Sequence, residues 1–188
     1  DPVLTVAGSV TGPMGGAMTG TGPVRLRRAG ADDLDFVVAT EGMAHNHLRI
    51  GQWPRERHEA CLADADYAYW LALDDQDRPL GYAILRGLTD RHGNIALQRI
   101  SIAAPGQGTG RAFLVALADW AFAETTCHRF WFDVFIDNAV ARALYRAIGF
   151  VEEGVQRESI VRVDGQRASL VQMSTLRPEW QALRSGGS

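Results

Sequence analysis

The stretch Pro105-Gly106-Gln107-Gly108-Thr109-Gly110-Arg111-Ala112 constrains this chain more than any other, because it joins an apolar, strand-like run (95–104) directly to a helix-like segment (112–124). Glycine turns tightly and lets a ligand approach the backbone closely. At the start of a helix, such a loop offers unpaired N–H groups and the positive end of the helix dipole to an anion such as a phosphate. Two common phosphate loops are disfavoured by spacing. No Gly-Lys-Ser/Thr follows, as a Walker loop requires, and the glycines fall at 106, 108 and 110 rather than as Gly-x-Gly-x-x-Gly. Nucleotide or dinucleotide binding is therefore the weakest reading. A second stretch, residues 137–150, follows the strand-like run 130–136 and carries Asn138, Leu144-Tyr145 and Gly149-Phe150 on one short helix.

In that order, joined by one helix and one strand, the two stretches resemble the signatures of the GCN5-related N-acetyltransferase (GNAT) superfamily. Gly108 and Gly110 match the two small positions of its acetyl-CoA loop, while Pro105 stands where Arg or Gln is usual. The departure is modest, because such a loop acts mostly through backbone N–H groups. The resemblance spans roughly residues 24–180 and is densest over 95–174. It implies an α+β fold of three-layer α/β/α type, with a mixed, mostly antiparallel sheet splayed between its fourth and fifth strands. It also implies acetyl-CoA as co-substrate in that gap. The C-terminal text, from Gly149-Phe150 through Arg157, Asp164-Gly165 and Met173-Ser174 to Leu176-Arg177-Pro178-Glu179-Trp180, is similar to the branch of ribosomal-protein N-terminal and small-amine acetyltransferases.

The elements themselves are read from periodicity and turn residues. Strands are expected at 24–27, 67–73, 80–88, 94–103 and 130–136, and helices from about 31, at 54–63, at 112–125 and at 139–147. Residues 154–163 and 168–176 form a final hairpin around an Asp164-Gly165 turn. The helix over 112–125 carries an apolar stripe through Phe113, Leu114, Leu117, Trp120 and Ala121. Residues 23–182 read as a single domain. Residues 1–22, rich in Gly, Thr, Ala and Val, read as a flexible tail or a vector-derived segment, and 183–188 as a flexible end.

Composition narrows the partners. At a net charge of −3, no global basic field draws the chain to nucleic acid, and no apolar run approaches a membrane span. All 19 basic residues are arginine, so such an enzyme cannot acetylate its own lysines. Cys61 and Cys127 have no metal-ligand spacing and read as two free thiols of a cytoplasmic protein. A monomer or homodimer acting on a small-molecule or peptide amine is expected.

Gly106, Gln107, Gly108, Thr109, Gly110 and Arg111 form the candidate pyrophosphate cradle, or else an ordinary strand-to-helix turn. The resemblance implies that the backbone of Ile102 and Ala103 bonds the pantetheine arm like an added strand. Asp137 or Asn138 caps the following helix, and by the resemblance Asn138 bonds the cofactor arm, two roles that need not exclude each other. Tyr145 is the candidate general acid, since a phenol near the sulfur protonates the departing thiolate; packing alone is its other reading. Glu41, His45, His47 and Gln98 are candidate bases or water holders by position only. Trp53 is the aromatic candidate for substrate contact. Cys61 and Cys127 lie outside both motifs, so transfer is expected to be direct rather than through an acyl-cysteine. An acyl-CoA-binding sensor or pseudoenzyme is the competing function.

Overall fold

The runs at 67–73, 80–86 and 94–102 lack polar–apolar alternation, and such strands must be covered on both faces. The computed structural model, which describes residues 24–46 and 51–186 together with the backbone of Val6 and Ala7, shows this burial. Strands β3 (Tyr67–Leu73), β4 (Pro79–Arg86) and β5 (Asn94–Ile102) are buried almost throughout. Helices α1 (Leu34–Glu41) and α2 (Arg55–Ala63) flank one face, where Leu34, Val37 and Trp53 pack with Tyr69, Leu71, Tyr82 and Ile84. Helices α3 (Thr109–Glu124) and α4 (Ala139–Ile148) cover the other, where Phe113, Leu114 and Leu117 meet Ala68, Leu85, Leu97 and Ile100.

The sheet runs β2-β3-β4-β5-β6-β8-β7, with β2 at Arg25–Arg28, β6 at Arg129–Phe135, β7 at Val151–Val161 and β8 at Arg167–Leu176. Pairing is antiparallel except for β5 with β6, and for the short strand β1 (Val6–Ala7), which lies parallel to β5. This is the mixed, splayed α+β architecture expected. The expected fourth and fifth strands are β5 and β6.

Local differences have local causes. Helix α3 begins at Thr109, not 112, because Gly108 takes a left-handed conformation (φ 75°, ψ 0°) and lets the helix start immediately after it. The hairpin strand β7 starts at Val151 rather than 154, and its turn has Gly165 at φ 82°. A terminal helix α5 (Arg177–Ser185) runs into the segment marked as a flexible end. Trp180 anchors it, its ring tilted against Phe122 and Phe150 with centroids 6.1 Å from each, and its Nε1 donates to Asp119 at 2.8 Å. Among the described residues, no helix is long and apolar enough to cross a membrane.

Candidate active site

The site begins with an irregularity in β5. Ile84 pairs with Arg99 but Leu85 pairs with Leu97, so Gln98 is an extra residue in a β-bulge. A bulge bends its strand, and β5 keeps contact with β6 only over Asn94–Ala96 and Arg129–Trp131. Beyond that point β6 pairs with β8 on its far side, and the two strands diverge into a splay. In the antiparallel ladder with β4, the N–H of Ala103 donates to Leu80 O at 2.8 Å. Alternation along the strand then turns the N–H and C=O of Ile100 and Ile102 into the splay. Of the two residues expected to offer backbone groups there, Ile102 turns its own toward the splay, with its C=O taken by His45 and Asn46, whereas the Ala103 N–H is used inside the sheet.

At the open end of that edge lies the glycine loop. Gly106 (φ 95°) and Gly108 (φ 75°) both hold left-handed backbone, and a side chain at Gly106 would meet nothing within 4 Å. Gly110 sits in the first turn of α3, where an added Cβ would lie 3.8 Å from Ile102 Cγ1. Thr109 is buried, Gln107 and Arg111 are exposed, and the first turn of α3 has no acid. The first N–H groups of a helix have no intrahelical acceptor. With Arg111 beside them, these donors suit a pyrophosphate in both geometry and charge.

Helix α4 supplies the wall. Asn138 Oδ1 accepts from Ala141 N at 3.3 Å, so Asn138 is the N-cap. At the other end, Gly149 (φ 118°) closes a Schellman motif, with Phe150 N donating to Tyr145 O at 3.0 Å and Gly149 N to Arg146 O at 3.0 Å. This turn brings Tyr145 and Phe150 onto the same strand residue. Their rings lie 4.9 Å from Phe132, with Tyr145 edge-to-face. Tyr145 is thereby held, 3% exposed, against the first stretch of β6 that has left β5.

The sequence reading missed Asp133. It lies one position after Phe132, hence on the opposite face of β6, and is 4% exposed. Gln156 Nε2 donates to its Oδ1 at 2.9 Å. Burial pushes its carboxyl above the ordinary range, although hydrogen bonds from Gln156 and Gln172 pull the other way. An acid inside the otherwise apolar run 130–136 was the available signal.

The proposed bases are engaged otherwise. Glu41, fully buried, accepts from Arg99 Nη1 at 2.5 Å, from the Tyr82 hydroxyl and from Trp53 N at 2.9 Å, with His58 Nε2 3.5 Å away. His45 Nε2 lies 2.8 Å from Ile102 O, which also accepts from Asn46 Nδ2 at 3.3 Å. Gln98 is buried in the bulge, and His47 lies outside the described residues. Trp53 is core, with the guanidinium carbons of Arg57 and Arg99 3.7 and 4.2 Å from its ring centroid. Burial raises the Cys127 thiol to about 11 and also raises Cys61, so neither is poised as a thiolate. No group of His, Cys, Asp and Glu among the described residues is arranged to hold a metal.

Comparison with known proteins gives the family and the fold. The Acetyltransferase (GNAT) family matches residues 38–150, and the chain belongs to that family. It is accordingly an acetyltransferase with acetyl-CoA as co-substrate. Among solved structures, a chimera of the Vibrio cholerae spermidine N-acetyltransferase SpeG with hSSAT superposes with a TM-score of 0.77 at 22% identity, covering 85% of this chain and 99% of its own. The spermidine N-acetyltransferase from Vibrio cholerae in complex with CoA and spermine gives a TM-score of 0.74 at 23% identity, over 85% and 98% of the two chains. These likenesses are of fold.

Proposed function

We propose that this chain transfers acetyl from acetyl-CoA directly to the primary amine of a small, cationic compound, with protein N-termini as the second acceptor class. The observation that carries the proposal is the splay itself, with the glycine loop at its open end, Tyr145 packed on one face of β6 and Asp133 on the other. Acetyl-CoA supplies an activated thioester carbonyl. Gly106, Gln107, Gly108, Thr109, Gly110 and Arg111 bind its pyrophosphate, and the outward backbone groups of Ile100 and the N–H of Ile102 pair with its amide-bearing arm, the Ile102 C=O being held by His45 and Asn46.

An amine is protonated at neutral pH and must lose a proton to react. Asp133, whose carboxyl burial raises, is the base we assign to that step, because a carboxylate nearer neutrality removes a proton more readily than an ordinary one. The Tyr145 hydroxyl donates a proton to the departing thiolate. Asn138 holds the start of α4 and so the position of Tyr145. A solved structure of similar fold carries CoA and spermine, which makes polyamines the first acceptors to test.

Thiol release from acetyl-CoA is to be measured against spermidine, spermine, amino-acid amides and short peptides. Release with any of these amines supports the transferase reading. Acetyl-CoA binding without release for every amine would instead support the sensor reading.

A further inference from the structure

The free edge of β5 is already in use, and the user is this chain. Strand β1 lies parallel to β5, with Val6 opposite Ile100 and Ala7 opposite Ser101. The register with β4 turns the Ile100 N–H and C=O into the splay, so β1 is an added strand within it. One position along, Ile102 O accepts from Asn46 Nδ2 and lies within hydrogen-bond distance of His45 Nε2. Both residues that present backbone groups to the splay therefore have partners from elsewhere in the chain.

A ligand with phosphates at Gly106–Arg111 and its reactive end near Tyr145 and Asp133 must run along this same edge. Extended peptide backbone and an amide-bearing arm use one edge in the same way, by main-chain hydrogen bonding. They cannot pair with Ile100 together.

We infer that β1 is a cis-acting competitor of the acyl donor: Val6–Ala7 closes the β5 edge and must leave before acetyl-CoA binds. This rests on the proposed donor position, and it adds a regulatory state to that site. The apparent donor affinity is reduced by the fraction of molecules with β1 docked. A pair of backbone hydrogen bonds of ordinary net strength corresponds to about a five- to 150-fold weakening.

The test is made in the full chain with Val6→Pro/Ala7→Pro, since proline cannot donate to a ladder and is disfavoured within one. Gly15→Pro serves as the control for proline elsewhere in the N-terminal segment. Two readouts are taken: amide hydrogen exchange at Ile100, and the acetyl-CoA dissociation constant by calorimetry. Competition requires faster Ile100 exchange together with acetyl-CoA binding about fivefold or more tighter, neither appearing in the control. Equal acetyl-CoA affinity in both chains overturns the competition and leaves the donor site intact. Unchanged Ile100 exchange overturns the docking. Acetyl-CoA binding to neither chain overturns the donor reading and the competition together.

Discussion

Arg99→Met should be among the most damaging single substitutions outside the apolar core. Glu41 is 0% exposed and Arg99 2%, and their contact is 2.5 Å. Burial alone would raise the Glu41 carboxyl. His58 Nε2 at 3.5 Å, the Arg99 charge, the Tyr82 hydroxyl and the Trp53 N–H more than offset it and hold Glu41 below its ordinary value. Methionine keeps the volume but leaves a buried carboxylate without its guanidinium, a change that costs about 3–5 kcal/mol. With a urea dependence of about 2 kcal/mol per M, the unfolding midpoint falls by about 2 M. The same change releases Gly51 O, which accepts from Arg99 at 3.2 Å, and uncovers Trp53, so the loop at 51–53 loosens as well.

The pH dependence fixes the sign. A carboxyl whose folded pKa is depressed contributes stability above its unfolded value, about 4.3, and loses it as pH falls through the folded value. The gap between wild type and Arg99→Met should therefore be large at pH 7 and shrink below about pH 4. Glu41→Leu with Arg99→Met should recover about 2 kcal/mol or more over Arg99→Met alone, because no unpaired charge remains. A midpoint shift below about 0.5 M for the single variant, or no recovery in the double, would refute the account of this pair.

Three further outcomes follow from the site. Tyr145→Phe should lower single-turnover transfer about a hundredfold while acetyl-CoA affinity holds; an unchanged rate would exclude the acid role. Gly108→Val places a branched side chain at φ 75°, costing about 1–2 kcal/mol or more and lowering Tm by about 3–8 °C, with weaker acetyl-CoA binding. Wild-type melting and affinity in that variant would contradict the cradle. Asp133→Asn should remove the acidic limb of the kcat/KM profile and lower kcat/KM about a hundredfold at pH 7. Because burial raises Asp133, its charged form costs stability as pH rises from about 3.9 through the folded value. The Asn variant should therefore melt at or above wild type at pH 7 and gain nothing at pH 3. Marked destabilisation at pH 7 would count against this reading.

The sequence alone made legible whatever depends on a few consecutive residues. The glycine loop, the helix cap at 137–138 and the Asp164-Gly165 hairpin each impose a local backbone conformation, and each is found where the residues put it. The apolar runs of β3 to β6 read correctly because two-sided burial suppresses alternation. Helix α5 was missed although its capping pattern is local, because one apolar anchor, Trp180, gives too weak a period.

Tertiary structure decided what joins distant positions. Glu41 meets Arg99 58 residues away, and His45 meets Ile102 57 residues away. These contacts turn candidate bases into parts of the framework. The bulge at Gln98 leaves no turn residue to announce it, yet it opens the splay. Asp133 becomes a candidate base only because Gln156 and the surrounding sheet bury it. Proton affinity is set by burial and by neighbouring groups, and both are properties of the packed chain rather than of residue order.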